Sequence, residues 1–479
     1  MSTPAHHVAI VGGGISGLST ALAIQEASQQ SGVAVTCTVI EGEQSYGGKI
    51  RTHQMNGFVV EAGPDSFLTS KPWAFELCNK LGLTDQVINT NSPNNQTFCF
   101  AKGQMRELPQ GLTGFVPTRL SALFSGGLIS PLGMLRMGGE WFIPRHTDLE
   151  QDESLAAFFR RRLGAEAFNY FIEPLVAGIY AGDADELSLK ATFPRFHELE
   201  QEYGSLIKGM RTQQRRRTVS TSSSGPQRSM FATLRGGLGD LIYALVKQVE
   251  SGRARLMTGH RVTEMSKVQG QASGYRLVLD NQEHILADDV VLATPAYVTA
   301  KLLQPHQPIA ARLLADIPYS STATISLAFD NRDIEHLIKG FGFVVPRIEG
   351  KALIAATWTS LKWPSRSKPG QTLIRCYVGG KGREEILEED DYALGTYIQG
   401  QLQEMTGVSG VPLFTEIQRW DRAMPQYVCG HLKRVEEIQT SMSLVKGIHL
   451  TGAAFDGLGI PDCIREGTRV GKEIVQSYG

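Results

Sequence analysis

Near the amino terminus, Gly12-Gly13-Gly14-Ile15-Ser16-Gly17 has the spacing G-x-G-x-x-G, directly after the apolar run Val8–Val11 and directly before a stretch rich in Ala, Leu and Ile. Glycines at this spacing suit one piece of chemistry, the close approach of peptide backbone to a pyrophosphate. Gly12 permits the tight turn, Gly14 clears the way for phosphates, and Gly17 lets the next helix lie close to a sheet. A helix opening with Ile15 and Ser16 points free N–H groups and its positive dipole end at the anion. Glu41, followed by Gly42, falls where a second strand ends, so its carboxylate can accept from ribose hydroxyls. A glycine turn that binds nothing is the plain alternative; strand, helix and acid together argue against it.

A second turn, Gly47-Gly48-Lys49-Ile50-Arg51, follows at once. A simple nicotinamide dehydrogenase has no need of it. A protein that holds FAD extended through the domain does, with the glycines passing close and Lys49 meeting phosphate or ribose. Gly236-Gly237-Leu238-Gly239 does not repeat the first spacing, so a separate NAD(P)H module is not expected. The six cysteines (Cys37, Cys78, Cys99, Cys376, Cys429, Cys463) form no C-x-x-C and no cluster with histidine. They read as reduced, buried thiols rather than a redox pair, a zinc site or a disulfide framework. Electrons would therefore pass from a substrate through the flavin to oxygen or another small acceptor. No acid–base dyad is nominated.

These residues need elements to position them. His7–Val11 reads as a buried strand, Ile15–Gln30 as a helix and Ala34–Glu41 as a second strand. Asp152–Leu163 is an amphipathic helix, and another opens after Gly239. Strand patterns recur at 255–264, 275–279, 289–293, 323–329, 341–345, 352–357 and 372–378. The last 65 residues return to strand, glycine turn and helix. Leu108–Ile143 mixes apolar residues with Gly and Pro, as either a helical subdomain that lines a channel or touches a membrane, or packed core broken by turns. Arg211–Arg228 is Ser-rich and basic and reads as a solvated loop, with an electrostatic lure for an anion as the sharper alternative.

Of the 479 residues, 51 are glycine, an excess over ordinary usage, while 42% hydrophobic and 20% charged residues describe a globular chain. Lys plus Arg (47) against Asp plus Glu (48) leaves a charge of −1, which gives no support for nucleic-acid binding. No apolar run reaches the ~18 residues that span a bilayer. The expected compartment is the cytoplasm, with peripheral contact at the inner face of the membrane as an open reading.

The two glycine turns, with Thr451-Gly452-Ala453 through Asp456-Gly457-Leu458-Gly459-Ile460-Pro461-Asp462, resemble the FAD-containing amine oxidase superfamily. Gly63-Pro64-Asp65-Ser66-Phe67, Glu173 through Asp183, Met424-Pro425-Gln426-Tyr427 and Gly459 through Cys463 narrow the resemblance to its bacterial porphyrinogen oxidases, over the whole chain and in order. The resemblance implies an α/β (α+β) architecture. It would have a Rossmann-like FAD-binding domain of the glutathione-reductase/p-hydroxybenzoate-hydroxylase type (1–66, 226–296, 414–479), a mixed-sheet substrate domain (67–90, 178–225, 297–413) and a helical subdomain (91–177). It implies non-covalent FAD and the oxygen-dependent, six-electron oxidation of coproporphyrinogen III in haem synthesis, with peroxide released.

Gly12–Gly17, Glu41, Gly42, Gly48, Lys49, Gly63, Pro64, Asp65, Ser66, Val262, Trp420, Gly452, Ile460, Pro461 and Asp462 would then hold the cofactor. Lys71, Gly178, Ile179 and Tyr180 would meet the substrate, Lys71 as partner of a propionate. Solvation for Lys71 and plain packing for Trp420 and for Gly178–Tyr180 are the alternatives. Protoporphyrinogen IX as main substrate, an amine or polyene substrate, and a flavin-binding protein without turnover also stay open.

Overall fold

The computed structural model describes residues 5–91, 96–109, 112–113, 116–117, 127–148, 151–220, 229–252, 254–268, 274–334 and 336–479. Strand β1 (His6–Val11) lies at the centre of a five-stranded parallel sheet, and its unbroken Val8-Ala9-Ile10-Val11 run is what burial on both faces demands. After helix α1 (Ile15–Ser31) the chain returns as β2 (Val35–Glu41), with Val8 opposite Cys37 and Val11 opposite Ile40. Helix α2 (Gly239–Ser251) leads into β3 (Arg255–Thr258) on the outer side of β2. β4 (Asp289–Leu292) and β5 (Ile448–Leu450) extend the other side, giving the order β3-β2-β1-β4-β5.

Helix α3 (Ile460–Gln476) closes the chain and packs along α1. A Cβ on Gly467 would lie 2.3 Å from the Ser16 carbonyl oxygen, and one on Gly471 2.6 Å from that of Thr20. The two helices therefore touch backbone to backbone and run parallel, with their positive ends facing the same way. Val8, Ile10, Val39, Leu18, Leu241, Leu245, Ile464 and Ile474 form the core on this face of the sheet.

A second, seven-stranded mixed sheet runs in the order Phe414–Pro425, Tyr319–Asp330, Gln371–Gly379, Leu353–Trp358, Gly342–Val344, Thr97–Ala101 and Gln104–Glu107. Phe414–Pro425 is paired antiparallel along nearly all of Tyr319–Asp330, so this stretch belongs to the mixed sheet by hydrogen bonding although the sequence groups it with the carboxy-terminal segment.

Short helices make up much of 131–203. Arg162, fully buried in Leu155–Leu163, gives its guanidinium to Ile143 and Gly204 carbonyls and to Glu200, which locks that helix onto Pro194–Tyr203. The stretch 108–143 divides: Leu108, Leu128, Ile129 and Met137 are core, whereas Leu132, Leu135, Trp141 and Phe142 are exposed. Residues 110–111, 114–115 and 118–126 of it lie outside the described residues. Residues 211–220, expected as loop, continue the helix Leu206–Ser220; Gln and Arg are good helix formers, and polarity alone does not break a helix. The side chains of Arg215–Arg217 and the rest of that stretch, 221–228, lie outside the described residues.

Candidate cofactor and substrate site

Three glycine turns from distant parts of the amino-terminal region nest against one another. A Cβ on Gly17 would stand 2.0 Å from the Gly12 carbonyl oxygen, so the entry to α1 admits no side chain there. The Gly47 N–H donates to the Gly13 carbonyl at 2.9 Å, joining the second turn to the first. A Cβ on Gly63 would fall 1.7 Å from the Lys49 carbonyl oxygen, which joins the third. Around Gly14, by contrast, a Cβ would meet nothing within 4 Å, and Gly14 caps α1 without any side-chain hydrogen bond. The first-turn amides, Ile15 and Ser16 included, therefore face an open cradle with a positive end, which fits a dinucleotide pyrophosphate.

Glu41 sits where expected but is tied down. One oxygen accepts from Gly13 N–H at 2.8 Å and the other from Glu43 N–H at 2.9 Å. Its carboxylate shapes the glycine turn as well as closing β2. Arg261 lies over Gly42 and pairs with Glu43 at 2.9 Å. Next to it, Val262 opens the strand Val262–Lys267, half-buried. Lys49 is reached by solvent, yet protein surrounds it on most sides. That desolvation lowers its pKa to about 8, and its ammonium donates to the Ala423 carbonyl.

The Gly63–Ser66 turn hangs from the mixed sheet. The Ala62 carbonyl accepts from the Trp420 indole (2.8 Å), Arg375 (3.0 Å) and Thr324 (3.1 Å), and Arg375 also reaches the Gly63 carbonyl. Beyond Pro64, Asp65 takes Lys362 at 3.1 Å, the Trp363 indole at 3.2 Å and the Ser66 hydroxyl at 2.7 Å. Burial works to raise the Asp65 pKa, but Lys362 and Arg375 prevail and hold it well below the usual carboxylate range. The acid of this motif is thus anchored by cations, not free for proton transfer.

At the other end of the chain, Gly452 has positive φ (126°) and open space where a Cβ would be. The Tyr427 hydroxyl donates to the Ala453 carbonyl (2.8 Å) and accepts from Gly457 N–H (2.9 Å), pinning the turn before α3. α3 then opens at Ile460 and Pro461, after a Gly459 cap that makes no side-chain bond. Asp462, in the first turn of that helix, is buried and binds Lys71 Nζ through both oxygens, at 2.7 and 2.6 Å.

Tyr180 lies close enough that Asp462, after burial, adds to the rise of its phenol pKa. Its hydroxyl donates to the Thr192 carbonyl at 3.2 Å, and Gln426 Nε2 donates to its carbonyl at 3.0 Å. Gly178 and Ile179, on the same helix Glu173–Tyr180, are exposed, Ile179 by 51%. Lys71 and Asp462 therefore meet at the start of α3, with Tyr180 near enough to feel the Asp462 charge, while Trp420 stands beside Gly63. Val262 lies apart, beyond the end of β2.

Thr324, Arg375, Lys362, Trp363, Gln426 and Tyr427 hold these turns, and none of them is singled out by sequence reasoning for that role. Gln426 and Tyr427 fall in one of the strings that carry the resemblance, which was the available signal. Thr324 and Arg375 come from strands whose alternation speaks of burial alone, and Lys362 and Trp363 from the end of the short helix Thr359–Lys362 and the residue after it.

The model of the flavin containing amine oxidoreductase family matches residues 15–475. Coproporphyrinogen III oxidase of Bacillus subtilis (strain 168) is 35% identical over 98% of this chain and 97% of its own, and that of Staphylococcus aureus 34% over 98% of each. Protoporphyrinogen oxidase 1 of Arabidopsis thaliana is 30% identical over 95% of this chain and 85% of its own. Among solved structures, a protein of Exiguobacterium sp. 255-15 described as a protoporphyrinogen oxidase superposes with a TM-score of 0.86 at 30% identity, covering 99% of this chain and 100% of that one.

Proposed function

The chain belongs to the flavin containing amine oxidoreductase family, and from that premise we propose that it oxidises coproporphyrinogen III to coproporphyrin III with FAD and molecular oxygen, a step of haem synthesis. The observation that carries this reading is the end-to-end identity with the Bacillus and Staphylococcus enzymes. FAD, when bound, supplies a two-electron acceptor that oxygen restores, so three oxygen molecules leave as peroxide for the six electrons and six hydrogens removed.

The chain's own part is to bind, orient and enclose. Amides of Gly12–Gly17 and the start of α1 hold the pyrophosphate, non-covalently, with Lys49 as the nearby cation and Glu41 at the ribose. Gly42 and Val262 continue the adenosine side. The Gly63–Ser66 turn, Trp420, Gly452 and the Ile460–Asp462 helix start hold the flavin side, where the positive end of α3 favours developing negative charge. Gly178, Ile179 and Tyr180 form the apolar wall for the macrocycle, which has an apolar body and needs its polar contacts only at the rim. A peripheral contact with lipid belongs to the same reading. It rests on Leu132, Leu135, Trp141 and Phe142, exposed on the helix Pro131–Gly138 and the turn after it. Among the described residues no helix is long and apolar enough to cross a membrane.

The test is anaerobic mixing of the flavin-loaded protein with coproporphyrinogen III. Bleaching of the oxidised flavin band, then porphyrin fluorescence on admitting air, is the expected result. Absence of both signals with coproporphyrinogen III would refute the reading, and a faster response to protoporphyrinogen IX would move the main activity to that substrate.

A further inference from the structure

Lys71 and Asp462 are 391 residues apart in sequence and share one of the closest ion pairs of the molecule. The geometry is two-sided: one ammonium against both carboxylate oxygens, at 2.7 and 2.6 Å. Asp462 is 3% exposed. Its side chain folds back over the turn that precedes α3, where a Cβ on Gly457 would lie 2.5 Å from its Cγ and one on Gly459 3.0 Å from Oδ2. Another cation near it, Arg465, stands 3.9 Å off and is engaged with Asp456 and Glu466. A substrate carboxylate that captured Lys71 would leave Asp462 buried with only the more distant and already shared Arg465 as counter-ion among the described residues, a costly state.

The pair also spans the site. Lys71 follows the Gly63–Ser66 turn and the short strand Phe67–Leu68, whereas Asp462 belongs to the Gly457–Asp462 turn. Both turns are assigned above to the flavin side of the cleft, from opposite ends of the chain. Resting on that reading, we infer that Lys71 is a positioning residue of the cofactor site: through Asp462 it clamps the carboxy-terminal turn and the start of α3 to the amino-terminal turn, in place of serving as the anchor of a substrate propionate.

The experiment compares wild type with K71M, D462N, the double variant and K71R, each first loaded with FAD. Loss of FAD on dilution should speed up roughly tenfold in both single variants, with the double variant no worse than the worse single, since both remove one interaction. K71R, whose guanidinium can also grip both carboxylate oxygens, should restore retention to within about threefold of wild type. The reduction potential of bound FAD supplies a charge-specific signature: lower in K71M, which loses a cation, and higher in D462N, which loses an anion. A purely structural loosening would not split the sign.

FAD retention in K71M equal to wild type, additive losses in the double variant, or potentials that move the same way would each overturn the inference. So would a KM for coproporphyrinogen III raised more than fivefold in K71M with retention intact. Retention and potential are read without substrate, so a failure of the porphyrinogen reading leaves this test standing.

Discussion

At Lys49, charge and burial pull against each other. Crowding by protein lowers its pKa to about 8, against an ordinary value of about 10.4. Between those two values the folded, FAD-free protein binds fewer protons than the unfolded chain, so its stability rises with pH through that window. Below about pH 8 the full cost of the crowded charge is present, and a bound diphosphate would offset it. FAD affinity should therefore be highest below pH 8 and decline above it, as the cation that meets the phosphates is lost. Titrating FAD into wild type and K49M across pH 6.5–10 checks this: the wild-type dissociation constant should climb from about pH 8 while that of K49M stays flat. Parallel curves would place Lys49 outside the phosphate site. The residue scale also shows what a sequence string conceals. Glu41 closes β2 and Asp65 lies in the turn after Gly63, and each spends hydrogen bonds on backbone N–H groups or on Lys362 and the Trp363 indole, some far off in sequence. Position along a motif is legible; the partner across the fold is not.

Elements differ in how loudly their sequences speak. β1 and α1 are unmistakable because burial on both sides leaves Val8-Ala9-Ile10-Val11 without a polar residue. Phe414–Pro425 is longer, yet half of its sequence FTEIQRWDRAMP is polar and most of it is half-exposed, as suits the outermost strand of its sheet. There backbone pairing with Tyr319–Asp330 makes the strand, and no apolar alternation announces it. Gly467 and Gly471 are similarly silent, since a glycine inside a helical pattern reads as a weakness until the neighbouring helix is in view. The helix Pro131–Gly138 carries the opposite message. Met137 points inward, while Leu132 and Leu135, with Trp141 and Phe142 just after, are turned to solvent. An apolar group with an aromatic pair at its edge suits the interface of a lipid bilayer, where such a helix lies flat. Replacing Leu132, Leu135 and Phe142 with serine should abolish co-flotation with anionic liposomes and leave the rate with coproporphyrinogen III in detergent-free buffer within about twofold. Equal flotation of variant and wild type would remove the lipid contact from the reading.

Across the whole molecule, the cradle is not the property of one segment. In the proposed site Gly12–Gly17 forms the anion cradle, and the second turn backs it through the Gly47 N–H on the Gly13 carbonyl. Ala62 and Gly63 hang from Thr324, Arg375 and Trp420 of the mixed sheet, and the last helix supplies a second positive end alongside α1. Part of the glycine excess thus reflects backbone that must pass close to backbone in several separate places, as at Gly17, Gly63, Gly467 and Gly471. This arrangement has a thermodynamic consequence. A ligand that binds only the native state stabilises it by RT ln(1 + [L]/Kd), about 2.7 kcal/mol when the free ligand is a hundredfold above its dissociation constant. If the amino-terminal glycine motif alone held FAD, that gain would stay with the parallel sheet. The mixed sheet, with a core of its own around Ile325, Phe343, Ile374 and Ile398, would then unfold as it does without ligand. Because Ala62 is bonded to three residues of the mixed sheet and Tyr427 pins the last turn, FAD should raise the stability of both sheets together. Hydrogen exchange followed by mass spectrometry, with and without saturating FAD, measures each region separately. Protection should increase by a similar factor in peptides covering 6–41, 319–330, 371–379 and 460–476. Protection confined to 6–41 and 460–476 would show that the mixed sheet supports the turn in the static structure but shares none of the binding energy.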